Sequence, residues 1–132
     1  MSGEFAAIAR IRQALPGPPA GEVWIGDDTA VVPAPGGTWL LLCADSVVAG
    51  VHADLTLTTL ADLGWKAVAA NVSDVAAMGG RPSYTVVTVA SPPGTDIDLL
   101  YEGIAAASEN YACPVVGGDL VGAPSLVVTV AM

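Results

Sequence analysis

Three short segments of this chain, Leu40-Leu41-Leu42, Val86-Val87 and Leu126-Val127-Val128, are apolar at successive positions. Neighbouring side chains of a strand point to opposite faces, so such runs put apolar groups on both sides of a sheet. A fold built on them needs cover for two sheet faces. Helical patterns are interleaved with them. Phe5, Ile8, Ile11 and Leu15 recur at helical spacing and predict an amphipathic helix over residues 3–15, closed by Pro16-Gly17-Pro18-Pro19-Ala20-Gly21. Thr58 or Thr59 heads a long helical pattern that runs to Met78 and stops at Gly79-Gly80. Thr95 is the expected cap of a third helix over residues 96–111. Extended runs fall at residues 29–33, 38–45, 83–90, 114–117 and 125–132, the first two joined by a hairpin loop, Ala34-Pro35-Gly36-Gly37. This order predicts an α/β (α+β) fold, a mixed sheet with helices on one face. Three helices cover one face, and the other calls for a second subunit or a further domain. The apolar carboxyl end adds the expectation that residues 1–132 are one domain of a longer enzyme.

Charge narrows the partners. Thirteen acids face four bases, Arg10, Arg12, Lys66 and Arg81, for a net charge of −9. Nothing resembles the basic patch a nucleic-acid binder needs. With 53% hydrophobic and 13% charged residues the chain can bury a core. No apolar run reaches the roughly 18 residues of a membrane span. Residues 1–10 hold Glu4 and no basic-then-apolar leader pattern, so a cytoplasmic location is expected. Cys43 and Cys113 sit inside apolar runs and read as buried free thiols.

The acids recur where periodicity breaks: Gly26-Asp27-Asp28 before the first extended run, Asp45-Ser46 at the end of the second, Ser73-Asp74 late in the long helix, and Gly117-Gly118-Asp119 after the fourth extended run. Carboxylates are hard oxygen ligands of the kind Mg²⁺ accepts alongside waters and phosphate oxygens. Glycines beside them let a ligand approach the backbone. An Asp in a glycine-rich turn is by itself more often a turn former. On a wheel of 100° per residue Asp62, Lys66, Ser73 and Asp74 fall within about 120°, which equally describes the wet side of a helix. Four acidic breaks in one small domain favour a site. Divalent cations between the acids and a phosphate also reconcile an acidic chain with an anionic ligand.

Other chemistries lack their motifs. There is no G-x-x-x-x-G-K-[ST], and Gly117-Gly118-Asp119-Leu120-Val121-Gly122 does not have the G-x-G-x-x-G spacing. No Cys/His pairing suggests zinc, and no serine sits in G-x-S-x-G. His52, the single histidine, is by itself an ordinary loop residue.

Several segments together resemble one family. They are Gly3-Glu4-Phe5, Ile25-Gly26-Asp27-Asp28-Thr29-Ala30, Asp45-Ser46-Val47-Val48-Ala49-Gly50-Val51-His52, Gly64 through Gly79 with its Asn71-Val72-Ser73-Asp74-Val75-Ala76-Ala77-Met78 core, and Val116-Gly117-Gly118-Asp119. In this order they resemble the amino-terminal part of the thiamine-monophosphate kinases, over nearly the whole chain. The resemblance implies ATP-dependent phosphorylation of thiamine monophosphate to thiamine diphosphate. It implies membership of a superfamily with aminoimidazole ribonucleotide synthetase, selenophosphate synthetase and a hydrogenase-maturation enzyme, and a homodimer whose sheets pair into a barrel. It implies Asp28, Asp45, Asp74 and Asp119 as ligands of several Mg²⁺ ions, with Cys43 and Ala44 beside them. Tyr101, Gly118 and Asp119 are implied at the nucleotide, and His52 at the thiamine phosphate. Cys43-Ala44-Asp45 stands where the family often has Ser/Thr-Thr-Asp, so ligation there would run through backbone carbonyls. Ala53 follows His52 where the family commonly has Phe, so substrate packing is expected to differ. The acceptor is already a phosphate and needs no covalent nucleophile on the enzyme. Another ATP-using enzyme of the superfamily, or a non-catalytic dimerisation or metal-binding module, remains the alternative.

Overall fold

A computed structural model describes residues 3–132. The elements are α1 (Glu4–Ala14), β1 (Ala30–Ala34), β2 (Thr38–Leu42), β3 (Ala44–Val48), α2 (Leu60–Ala77), β4 (Thr85–Ser91), α3 (Ile97–Asn110), β5 (Val115–Gly122) and β6 (Val127–Ala131). They form an antiparallel hairpin, β1–β2, and a four-stranded mixed sheet in the order β3-β6-β4-β5. The β4–β5 pair is parallel, and the other pairs are antiparallel.

The extended run over residues 38–45 is two strands. Its break falls at Cys43, whose N–H and C=O both bond Met132 at 3.0 Å. Backbone pairing thus passes from the hairpin to the sheet at one residue, a switch of partner that periodicity does not encode. The last two helices match their pattern closely. Thr59 caps α2 in a reciprocal box: its side chain accepts from the Asp62 N–H, and the Asp62 carboxylate accepts from the Thr59 N–H at 2.8 Å. The N-cap of α3 is Asp96, not Thr95; its carboxylate accepts from the Leu99 N–H at 3.0 Å. Thr95 instead closes the preceding turn with its hydroxyl on the Pro92 carbonyl.

One face of the sheet is covered by α2 and α3. Leu63, Ala67 and Val68 of α2 and Leu100, Ile104 and Ala107 of α3 pack on Val47, Val87, Val89, Val128 and Val130. The helices cross closely because Gly64 and Gly103 lack side chains: a Cβ at Gly103 would collide with the Ala61 carbonyl, and one at Gly64 with that of Leu100. The opposite sheet face carries three rows, Ala44-Ala131-Val86-Gly117, Ser46-Thr129-Thr88-Asp119 and Val48-Val127-Ala90-Val121. No described helix covers it, and Val86 and Val121 are exposed there. Three helices on one face is therefore corrected to two, since α1 has no buried residue and lies beside the β1–β2 hairpin.

Candidate metal- and phosphate-binding site

Asp74 is where the acids meet. It lies in the last turn of α2, and its carboxyl is pushed above the usual carboxylate range, first by burial, then by Asp45 and by Asp28. Asp45 comes from β3 and Asp28 from the loop before β1, so three separate segments bring negative charge to one place. The Cys43 thiol is pushed up as well, by burial and then by Asp74, with Asp45 adding to it. Cys43 and Ala44 line a cavity of about 950 Å³ together with Asp27 and Asp28. Like charges this close repel, and a divalent cation bound among them would relieve the repulsion. The donor set is hard oxygen, which suits Mg²⁺. Among the described residues no three His, Cys, Asp or Glu side chains are gathered at the spacing of a complete metal cage. Mg²⁺ takes only one or two carboxylates and fills its remaining positions with water and phosphate oxygens.

Asp119 stands elsewhere. The sequence pattern ends the fourth extended run at Gly117, but β5 continues through Gly122 and carries Gly117, Gly118 and Asp119 within it. Asp119 is in register with Thr88, and β5 is the sheet edge opposite β3. Three strand spacings, roughly 14 Å, separate the edge bearing Asp45 from the edge bearing Asp119. Tyr101 of α3, Gly118 and Asp119 line one depression of about 580 Å³, so the residues implied at the nucleotide do come together. Gly118 adopts φ +155°, and a Cβ there would strike the backbone of Val87, so only glycine lets β5 sit this close to β4.

His52 lies in the loop that leaves β3. Its Nδ1 accepts the Val48 N–H at 3.0 Å, and its own N–H donates to the Val48 carbonyl at 2.9 Å. Two residues of this region stand in the family-like segments with no role of their own assigned by the sequence. Asn71 is fully buried in α2, donating to the Ala67 carbonyl at 3.1 Å and accepting from the Cys43 thiol. Thr29 is buried beside Asp28, and its hydroxyl has no partner. An Asn inside a run of Ala and Val is the one available hint, because a buried amide there must find partners.

The family model for the AIR synthase related protein, N-terminal domain, matches residues 26–132. The chain belongs to this AIR synthase-related family. Among curated members, the thiamine-monophosphate kinase of Bacillus subtilis is 41% identical over 113 residues, covering 83% of this chain and 35% of that protein. The thiamine-monophosphate kinase of Corynebacterium glutamicum is 33% identical over 132 residues, covering 97% of this chain and 38% of the relative. The chain thus spans little more than a third of either. The AIR synthase-related domain also superposes on the solved AaThiL complexed with AMPPCP and TMP, with a TM-score of 0.85, 33% identity, and coverage of 98% of this chain and 40% of that one. A HypE–HypF complex at 18% identity and a TM-score of 0.61 shares the fold alone. No described helix is long and apolar enough to cross a membrane.

Proposed function

We propose that this chain is the amino-terminal domain of a cytoplasmic thiamine-monophosphate kinase and that the acids around Asp74 serve ATP-dependent phosphorylation of thiamine monophosphate. The observation that carries the reading is the convergence of Asp28, Asp45 and Asp74 from three separate segments, where burial first and then the charges of Asp45 and Asp28 raise the proton affinity of Asp74. Its support is the likeness to the thiamine-monophosphate kinases and to AaThiL complexed with AMPPCP and TMP.

In this reading Asp28, Asp45 and Asp74 hold Mg²⁺ with the carbonyls of Cys43 and Ala44 beside them, and Asp119, on the far sheet edge, serves a separate Mg²⁺ at the nucleotide. Bound Mg²⁺ would supply neutralisation between two polyanions and at the departing ADP. Tyr101, Gly118 and Asp119 border the nucleotide, which places the donor toward the β5 edge. His52 offers its outer N–H to the acceptor phosphate. A phosphate monoester with a second pKa of about 6 is already largely dianionic near neutral pH, so no side chain is needed as general base. The protein's work is to align donor and acceptor for in-line transfer, without a phosphoenzyme. A homodimer covers the sheet face on which Val86 and Val121 are exposed on either side of the polar row Ser46, Thr129 and Thr88.

The test is an ADP-release assay on the full-length enzyme with thiamine monophosphate and Mg²⁺, with thiamine diphosphate identified as product. ADP release that depends on thiamine monophosphate is expected, and EDTA should abolish it. ATP turnover that ignores thiamine monophosphate but responds to a formamide, carboxamide or selenide acceptor would move the chain to another branch of the superfamily. Metal-dependent ATP binding with no turnover would make it a binding module.

A further inference from the structure

We propose that Lys66 is a positioning residue of the acceptor site, holding the His52 loop to α2 so that His52 presents its Nε2–H outward. The proposal rests on the reading that His52 meets the acceptor phosphate. Lys66 is the only lysine of the chain, and its ammonium donates to the His52 carbonyl. That bond is the loop's side-chain tie to a helix.

The other polar groups of His52, Nε2 apart, are also committed. Its N–H bonds the Val48 carbonyl at 2.9 Å, and Nδ1 accepts the Val48 N–H at 3.0 Å. β3 is an edge strand, so the outward N–H of Val48 has no neighbouring strand to pair with. A ring nitrogen that accepts an N–H carries no proton, so the neutral ring keeps its proton on Nε2. The loop closes on itself through Gly50 N–H to the Ala53 carbonyl at 2.7 Å and Val51 N–H to the Val48 carbonyl at 3.1 Å. The turn requires the positive φ of +80° at Gly50. With the inner nitrogen, the amide and the carbonyl each engaged, Nε2–H is the donor left for a ligand.

The helix end of the tie is rigid. Leu63, Gly64, Ala67 and Val68 are buried around Lys66, and the Trp65 ring packs on Tyr111 with centroids 5.9 Å apart. The same helix carries Asp74. Lys66 therefore sets His52 in the frame that also sets the acidic cluster, and a loop free to swing would lose that register. A flexible four-carbon stem with a compact ammonium suits a bond to a single carbonyl.

His52 is the only histidine, so imidazole ¹⁵N signals of the untagged chain come from it alone. In the wild type the unprotonated shift belongs on Nδ1 and the protonated one on Nε2. Lys66→Met should collapse this into tautomer-averaged signals, and Lys66→Arg, which restores a donor, should recover it. In the full-length enzyme Lys66→Met should raise the KM for thiamine monophosphate about tenfold, the scale of one charge-assisted hydrogen bond, with the KM for ATP changed less than about twofold. The KM effect should vanish in a His52→Ala background. A wild-type spectrum with the proton on Nδ1, a Lys66→Met spectrum identical to wild type, or equal rises in both KM values would overturn the proposal. Full-length enzyme that never phosphorylates thiamine monophosphate would defeat the functional reading, while the ¹⁵N comparison would still decide the role of Lys66.

Discussion

The thiol of Cys43 lies 3.6 Å from the side-chain oxygen of Asn71, joining the residue that ends the hairpin to the buried middle of α2. Asp45 follows Cys43 by two residues, and Asp74 follows Asn71 by three, so this contact ties the two chain segments that carry the acids.

Loss of that tie should be felt in stability and in the site. Asn71→Ala removes a buried amide from the Ala67 carbonyl and the Cys43 thiol and should cost roughly 1–3 kcal/mol. Cys43→Ser keeps a donor and should be nearly silent, whereas Cys43→Val should leave the Asn71 oxygen unpartnered and lower the melting temperature. Urea denaturation of the three variants gives the ranking. Equal losses for the Ser and Val variants would show that the thiol's volume matters and its hydrogen bond does not.

Asp45→Asn and Asp74→Asn should separate stability from activity. The folded state raises the Asp74 pKa, so it binds that proton more tightly than the unfolded chain does. Any contribution to stability is complete below the unfolded carboxylate value and is lost as pH rises through the folded one. At neutral pH the ionised cluster is therefore a burden, and either Asn variant should hold or raise the melting temperature without metal. Turnover by the full-length variants should fall by about a hundredfold, the upper range for disturbing a metal site. Stabilisation by Mg²⁺-ATP should fall with it. Variants that unfold at the same rate as they lose activity would mark these acids as structural.

The start of α2 responds to pH in the opposite sense. The Asp62 carboxyl is held below the usual carboxylate range by the Thr59 N–H and hydroxyl. A folded-state pKa that is depressed stabilises above the unfolded value of about 3.9 and ceases to do so as pH falls through the folded value. Thr59→Ala should cost about 1 kcal/mol near neutrality. The gap between Thr59→Ala and wild-type melting temperatures should narrow as pH is lowered toward 3, since the protonated Asp62 no longer closes the box.

Gly103→Ala should be among the most damaging single methyls in the molecule. The added carbon would meet the Ala61 carbonyl where α3 crosses α2, forcing the helices apart at a cost of about 1–3 kcal/mol or more. Because Asp74 and Lys66 ride on α2, its thermal melt should show a large drop before any kinetic change is interpretable. An Ala variant with wild-type stability would mean that the two helices slide easily.

Much of this architecture is written in local chemistry. The apolar runs Val86-Val87 and Leu126-Val127-Val128 marked strands of the sheet, and Thr58 or Thr59 marked the start of α2, because strand and cap preferences depend only on near neighbours. Positions near acids and glycines marked Asp28, Asp45, Asp74 and Asp119, since carboxylates and glycine stand out wherever periodicity stops. The switch of Cys43 from hairpin to sheet was not legible, because it depends on Met132 arriving from the far end of the chain. Nor was the continuation of β5 through Gly118 and Asp119, which pairing with β4 imposes on a sequence that reads as a turn. Local patterning determined which residues form helices, strands and acidic breaks, as those preferences arise within a few bonds. Tertiary structure alone decided that Asp28, Asp45 and Asp74 act on one another while Asp119 borders Tyr101 on the opposite edge, because strand order and helix crossing are set by packing between residues far apart in the chain.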